Sequence, residues 1–179
     1  MQKQSCPLVG SGVQIPSPAF FTMKEATLCI VVDSSSKKVL LGYKKRGFGQ
    51  GKWNGFGGKI EEKEELFDAA MRELYEESSI TASHNHLDKV AELAFRFPSK
   101  PEWDQVVHVF TVHCWEGTPQ ESEEMKPEWF SFSEIPFKEM WNDDKHWLPL
   151  ILQGKKLKAA FVFQEDNETI LDYSIQEDP

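Results

Sequence analysis

Three glutamates with helical spacing are the residues of this chain best placed to do chemistry. Glu73, Glu76 and Glu77 stand at i, i+3 and i+4, so on a helix their carboxylates fall on one stripe. These like charges repel one another, whereas a divalent cation would bind all three. Clustered carboxylates suit Mg²⁺, which polarises phosphoryl oxygens and orients an attacking water. The stripe therefore fits either phosphoanhydride hydrolysis or a solvated acidic helix face.

The residues around the stripe decide between these two interpretations. An isolated ExxEE segment is more often a solvated face, by about three to one. Here, Gly58 is followed by five residues, Glu64, seven residues and then the segment RELYEESSI at residues 72–80. This spacing matches the signature GX5EX7REUXEEXGU except at Ser79, and a chance match has odds on the order of 10⁻⁷ to 10⁻⁸ per start point. The chain therefore resembles the Nudix hydrolases.

The resemblance implies roles for the residues of the signature. It implies Mg²⁺ as cofactor, with Mn²⁺ as a substitute. The implied catalytic residues are Arg72, Glu73, Glu76 and Glu77, and the implied metal ligands are Gly57, Glu73, Glu76, Glu77 and Glu124. Arg72 would orient a catalytic glutamate, and Glu64 would serve structurally or at the periphery of the metal site.

Ser79 is the one departure from the signature, which has glycine at this position. That glycine usually adopts a left-handed backbone conformation at the end of the helix. The same conformation costs a serine roughly 1 kcal/mol. We therefore expect a local adjustment at Ser79 and no loss of chemistry.

Beyond the signature, the chain resembles those Nudix enzymes that hydrolyse oxidised purine nucleoside triphosphates. The similar segments run from about Ala26 to Tyr173 and include VLLGYKKRGFGQGKWNGFGGK, EGTPQESEEMKPEWF and IPFKEMWNDD. The resemblance implies hydrolysis of 8-oxo-dGTP, 2-hydroxy-dATP and related purines to the monophosphate and pyrophosphate, which would keep damaged bases out of the nucleotide pool. The implied substrate-binding residues are Thr27, Lys44, Phe48, Asn54, Phe56, Gly57, Gly58, Lys59, Phe95, Trp141, Asn142, Asp143 and Asp144.

The segment at residues 141–144 suits the recognition of a purine. Trp141 offers a flat face for stacking, and Asp143 and Asp144 offer polar groups for the edge of the base. Two buried neighbouring carboxyls do not readily ionise together, so one can donate a hydrogen bond while the other accepts. Without the resemblance, helix capping by the aspartates and core packing by Trp141 are the commoner explanations. At Asn142 we expect proline in this group of enzymes.

The apolar patterns predict the elements that position these residues. Strands are expected at residues 25–32, 39–44, 91–97, 106–115, 128–132, 159–164 and 170–175. An amphipathic helix is expected at residues 64–78, and a second helix from near Asp143 to a terminating Gly154. The glycine-rich residues 47–59 predict a substrate-side loop, and residues 103–106 stay unassigned. The order predicts an α/β (α+β) fold, with a mixed β-sheet sandwiched between α-helices.

Length, charge and cysteine content restrict the class of protein. The 179 residues suit one domain, expected at residues 23–179 after a flexible tail at 1–22. A net charge of -9 disfavours binding to a nucleic acid polymer, and no apolar segment has the length of a signal peptide or a membrane span. Three cysteines without a CxxC pair favour a reducing compartment. We therefore expect a cytoplasmic monomer, with minor mitochondrial or nuclear pools left open.

Two other functions stay open on the sequence alone. The first is a Nudix pyrophosphatase for another nucleotide, such as ADP-ribose or a dinucleoside polyphosphate, and the segment Trp141–Asp144 argues against it. The second is a non-catalytic Nudix module that binds a nucleotide, and the intact glutamate stripe argues against that. Release of pyrophosphate that depends on Mg²⁺ would distinguish the three.

Overall fold

This computed structural model describes residues 23–178 of the chain. The described residues contain eight strands and two α-helices, joined by loops and short 3₁₀ turns. The expected tail at residues 1–22 lies outside the described residues, as does Pro179. The strands are β1 Lys24–Asp33, β2 Lys38–Lys44, β3 Trp53–Asn54, β4 Leu87–Arg96, β5 Gln105–Val112, β6 Met125–Ser131, β7 Lys156–Phe163 and β8 Ile170–Asp178. The helices are α1 Leu66–Ser78 and α2 Asp144–Leu152.

The strands form one mixed sheet in the order β3-β2-β1-β5-β4-β7-β8, and β6 pairs with β2 along its length. The pairs β1–β5 and β4–β7 are parallel, and the other pairs are antiparallel. β2 pairs with β1 only as far as Leu40. Beyond that point the glycine-rich segment at residues 56–59 takes its place: Thr27 N–H donates to Gly58 O over 2.8 Å, and Cys29 and Phe56 exchange two backbone hydrogen bonds. The sheet therefore holds this segment directly beside β1.

The two helices cover opposite faces of the sheet. Side chains alternate along a strand, so β1 presents Ile30 to one face and Val31 to the other. Ile30 belongs to the apolar cluster that contains Trp147 of α2, and Val31 belongs to the cluster that contains Leu74 of α1. The predicted mixed sheet between helices is therefore confirmed. Neither helix in the described part of the chain is long and apolar enough to span a membrane.

Element boundaries differ from the predicted ones where polar groups find local partners. α1 begins at Leu66 and not at residue 64, because Glu64 closes a turn on the carbonyl of Glu61. β5 ends at Val112, since the chain beyond it leaves β4, and Glu116 exchanges two backbone hydrogen bonds with Thr81. The two-residue β3 was not predicted, because so short a strand has no periodicity to detect. α2 begins at Asp144 and is followed by Gly154 in a left-handed conformation, close to the expected bounds.

Candidate active site

The buried end of the glutamate stripe is joined to the glycine-rich segment and to Lys44. Glu77 is only 4% exposed, and its two oxygens lie 2.8 Å from Lys44 Nζ and 2.9 Å from the donating Gly57 N–H. Burial raises the pKa of Glu77, against the opposing effects of Lys44 and the Gly57 N–H. Lys44 Nζ also lies 3.1 Å from Glu124 Oε2. One ammonium group therefore joins two of the predicted metal ligands.

Arg72 organises the rest of the signature. Its Nε and Nη2 atoms lie 2.8 Å from the two oxygens of Glu64, a bidentate pairing that lowers the pKa of Glu64 to about 2. Its Nη1 atom lies 2.8 Å from Glu73 Oε1 and 3.3 Å from Glu76 Oε2, and Nη2 donates to Lys59 O over 3.1 Å. Arg72 thus orients the carboxylate of Glu73. Glu64 has a structural role, because its two oxygens hold the guanidinium group of Arg72.

Two glycines permit the close contact between this segment and its neighbours. A Cβ atom at Gly57 would overlap the backbone of Thr27, and one at Gly58 would lie 2.5 Å from Glu73 Oε1. Any side chain here would push the segment away from β1 or displace the carboxylate of Glu73. Gly57 is therefore required by packing against β1, and Gly58 leaves room for the carboxylate of Glu73.

The donor set fits a hard divalent cation. Glu73, Glu77 and Glu124 supply carboxylate oxygens, which are the ligands that Mg²⁺ and Mn²⁺ prefer. Within residues 23–178, no three acidic, histidine or cysteine side chains already surround one point. Arg72 and Lys44 contact these carboxylates, so the negative charge of the donors is balanced by protein cations. A bound metal would compete with those contacts.

A cavity of about 480 Å³ opens beside the stripe. Most of the predicted substrate-binding residues line it: Thr27, Lys44, Phe48, Asn54, Gly57, Gly58, Lys59, Phe95, Trp141, Asp143 and Asp144, together with the predicted metal ligand Glu124. Thr27 is 2% exposed, and among the described residues its Oγ1 has no hydrogen-bond partner. This buried hydroxyl lies in a residue that lines the cavity.

Aromatic rings form much of the cavity wall. The rings of Phe48 and Trp141 are stacked, with centroids 5.1 Å apart and planes 24° apart. Trp103 meets Phe48 edge-on at 5.1 Å, and Phe97 packs edge-on against Trp103 at 5.7 Å. Sequence reasoning did not assign Trp103 or Phe97. The polar residues around them indicate only a strand or a loop. Their contacts with Phe48 could not be predicted, because Phe48 is far from both in the sequence.

Asp143 and Asp144 are both buried in this wall at 3% exposure. Asp143 Oδ2 accepts a hydrogen bond from Trp147 Nε1, and Asp144 Oδ2 accepts one from the Trp141 N–H, each over 2.9 Å. Burial raises the pKa of Asp143 to about 6, and burial together with the charge of Asp143 raises the pKa of Asp144 well above its usual value. Asp143 makes no side-chain cap on α2. The capping explanation therefore gives way to a buried polar pair.

Two predicted substrate contacts lie elsewhere. Phe56 is fully buried in the apolar cluster on the α1 side, because strand alternation turns its ring away from the cavity that Gly55 and Gly57 line. The Asn142 side chain donates to Glu168 O over 2.7 Å and lines a separate surface depression. Neither side chain is part of the cavity wall.

The end of α1 has the backbone expected from the departure at position 79. Ser79 has φ 62° and ψ 18°, the left-handed conformation, and its N–H donates to Tyr75 O over 2.8 Å. Ser79 therefore adopts the conformation of the signature glycine without a visible adjustment, and the stripe keeps its helical geometry.

Comparison with known proteins agrees with this fold and site. Residues 23–151 match the family model of the NUDIX domain, which is most of the chain. The chain belongs to the Nudix family, whose hydrolases generally need a divalent metal.

Individual relatives cover nearly the whole chain. It is 49% identical over 156 residues to the oxidized purine nucleoside triphosphate hydrolase of Mus musculus, a match that covers 87% of this chain and 96% of that protein. It is 46% identical over 157 residues to the Danio rerio protein of the same name, with 88% and 97% covered. The crystal structure of a MutT mutator protein from Bacillus halodurans superimposes with a TM-score of 0.75 at 27% identity, covering 88% of this chain and all of that one.

Proposed function

We propose that this protein hydrolyses oxidised purine nucleoside triphosphates, such as 8-oxo-dGTP and 2-hydroxy-dATP, to the monophosphate and pyrophosphate with Mg²⁺ as cofactor. The observation that carries this proposal is one cavity lined by Trp141, Asp143 and Asp144 at its aromatic wall and by Lys44 and Glu124 beside the glutamates. A flat base with polar edges and an anionic phosphate chain would both find complementary groups there. Such an activity would remove damaged precursors from the nucleotide pool.

The phosphate chain would lie beside the glutamate stripe. Mg²⁺ held by Glu73, Glu76, Glu77 and Glu124 would neutralise phosphate charge and acidify a water molecule. Arg72 keeps Glu73 in place through the 2.8 Å contact. Glu77 would also accept the proton of the attacking water, since the Gly57 N–H, 2.9 Å away, holds its carboxylate in place. Lys44, freed from these carboxylates, is positioned to bind substrate oxygens.

The base would be read by the buried aspartates. Because the two carboxyls are neighbours, are both buried and both have a raised pKa, they do not readily ionise together, so one of the pair can keep its proton and donate a hydrogen bond. The other accepts. An exchange of these roles would admit bases with different donor and acceptor patterns, such as 8-oxoguanine and 2-hydroxyadenine. Two relatives that carry this activity in their names support the assignment.

Another Nudix substrate is the competing proposal. ADP-ribose and dinucleoside polyphosphates would use the same glutamates, so the metal chemistry does not discriminate. The deep aromatic wall with two buried carboxyls favours a single modified purine. The other alternative is a module that binds a nucleotide without hydrolysing it. Such a module would not need a buried Glu77 with a raised pKa beside the other carboxylates of the stripe.

A substrate panel tests the proposal. We would measure kcat/KM with Mg²⁺ for 8-oxo-dGTP, 2-hydroxy-dATP, dGTP, ADP-ribose and a dinucleoside polyphosphate, following monophosphate and pyrophosphate release. We expect the oxidised purines to be preferred and chelation of the metal to abolish turnover.

Matched variants connect that activity to the stripe. Glu77→Gln should lower kcat by at least about 10²-fold, whereas Glu62→Gln, at an exposed carboxylate before α1, should leave it unchanged. Preference for ADP-ribose or a polyphosphate would discard the purine assignment and keep the family chemistry. Full activity in Glu77→Gln would contradict the role of the stripe.

A further inference from the structure

Lys52 contacts the cavity wall from outside the signature. Its Nζ atom lies 5.0 Å from the ring centroid of Trp141, where an ammonium group is attracted to the π face of an indole. The backbone of Lys52 is held at both of its polar groups: its N–H donates to Gly49 O over 3.1 Å, and its carbonyl accepts the Lys44 N–H over 2.9 Å. The loop therefore presents this ammonium group to Trp141 from a fixed point.

Glu168 links Lys52 to the segment that carries Trp141. Its Oε1 atom lies 3.3 Å from Lys52 Nζ, and its carbonyl oxygen accepts the side-chain N–H of Asn142 over 2.7 Å. Asn142 is the neighbour of Trp141 in the chain. Glu168 thus contacts both Lys52, which lies over the indole ring, and Asn142, which follows Trp141 in the chain.

The turn between β7 and β8 holds Glu168 in this position. Asp166 Oδ1 accepts the backbone N–H groups of Glu168 and Thr169 over 2.9 and 2.8 Å, and its other oxygen accepts the Thr169 hydroxyl. Gln164 N–H closes the turn on Thr169 O. The backbone of Glu168 is therefore fixed, and its side chain, which is 60% exposed, reaches Lys52 from that point.

Lys52 also acts on the polar part of the wall. Burial and the charge of Asp143 raise the pKa of Asp144, and the positive charge of Lys52 opposes that rise. The same ammonium group therefore influences both the stacking surface and the edge-reading carboxyls.

We propose that Lys52 is a positioning residue for purine binding, held by Glu168 so that it fixes the Trp141 ring in the wall of the cavity that would receive the base. This inference rests on the proposed function, since it concerns the base that Trp141 would receive. It assigns the positioning of the base to a contact between the glycine-rich loop, the residues before α2 and the β7–β8 turn.

The test compares variants of the full chain with 8-oxo-dGTP. Lys52→Met should raise KM by about two- to five-fold, the range for loss of a partly exposed cation–π contact, and leave kcat within about two-fold. Lys52→Arg should retain the KM of the parent, because a guanidinium group can lie over the same ring. The Kd of 8-oxo-dGMP, measured by calorimetry with the metal chelated, should rise in Lys52→Met by the same factor as KM.

Further variants separate positioning from a general effect of charge. Glu168→Gln should raise KM less than Lys52→Met does, and adding it to Lys52→Met should have no further effect, because both act on one contact. Lys155→Met is the matched control, since Lys155 pairs with Glu177 at 2.7 Å and does not line the cavity.

The outcomes distinguish this inference from the proposed function. An unchanged KM and Kd in Lys52→Met, with 8-oxo-dGTP still hydrolysed by the parent protein, would overturn the role of Lys52 alone. A fall in kcat at constant KM, or an equal rise in KM for Lys155→Met, would also overturn it. Failure of the parent protein to hydrolyse any oxidised purine would instead reject the proposed function.

Discussion

At the scale of single residues, burial determines the acid–base chemistry of the site. Glu77, Asp143 and Asp144 are carboxyls of ordinary type, yet each is at most 4% exposed and each has a raised pKa. Glu64, by contrast, meets the fork of Arg72 near the surface and has its pKa lowered to about 2. The same functional group therefore has a raised or a lowered pKa according to its neighbours.

The raised pKa of Asp143 makes a prediction about stability and pH. Its pKa is raised from 3.8 to about 6, so between these values the folded protein binds more protons than the unfolded chain. The free energy of unfolding gained from this group is therefore lost as the pH rises through that window. Asp143→Asn removes the titrating group and keeps an oxygen for Trp147. We expect its Tm, measured by thermal unfolding from about pH 4 to about pH 7, to decline less with pH than that of the parent.

Asp88→Asn is the control, because Asp88 is an exposed partner of Lys156. Identical pH dependence in the parent and Asp143→Asn would contradict the burial effect. In addition, unchanged affinity for 8-oxo-dGTP and 2-hydroxy-dATP in both Asp143→Asn and Asp144→Asn would reject the role of the pair in reading the base.

At the scale of elements, the site depends on a gap in the pairing of β1. β2 leaves β1 after Leu40, and residues 56–59 occupy the vacated edge. This places the Gly57 N–H against Glu77 while Gly57 also lines the cavity. The end of α1 and the cavity wall therefore meet at one short backbone segment.

The C-terminal end of α1 gives a prediction at this scale. Ser79 has a left-handed backbone, which glycine adopts without the steric penalty of a Cβ atom. Ser79→Gly should raise the free energy of unfolding by about 1 kcal/mol in urea titrations and leave kcat unchanged. Ser83→Gly is the control, because Ser83 has an extended backbone at φ -88° and glycine should destabilise it. A loss of stability in Ser79→Gly would mean that the serine side chain makes a stabilising contact.

At the scale of the whole molecule, a single sheet brings together residues from both of its faces. α1 and α2 lie on opposite sides, each over its own apolar cluster. The glutamates come from α1, whereas Asp143 and Asp144 stand at the start of α2. The sheet places Asp143 and Asp144 in the cavity wall and places Glu77 against Lys44 and Gly57, which also line the cavity. We therefore expect loss of the fold to remove base binding and hydrolysis together.

Removal of the expected tail makes a prediction about domain organisation. β1 begins at Lys24 and the family match begins at residue 23. We therefore expect a chain of residues 23–179 to keep its Tm and its kcat/KM for 8-oxo-dGTP within about two-fold of the full chain, as for a segment outside the domain. A larger loss in either measurement would show that residues 1–22 contribute to folding or to the site.

The sequence by itself determined the features that depend on local periodicity. The spacing of Glu73, Glu76 and Glu77 sets one face of a helix whatever surrounds it, and the alternation along β1 assigns its residues to two faces. The left-handed conformation at Ser79 was likewise predictable, because it follows from the helix end alone. These are consequences of backbone geometry within a few residues.

The tertiary structure alone decided which distant residues share the site. It turned the Phe56 ring into the core and directed Asn142 to Glu168, although both had been predicted to bind substrate. It also brought Trp103 into the wall and Lys52 over Trp141, which no local pattern indicates. The physical reason is that cavity walls, burial and pKa depend on packing between residues far apart in the chain, which local spacing does not encode.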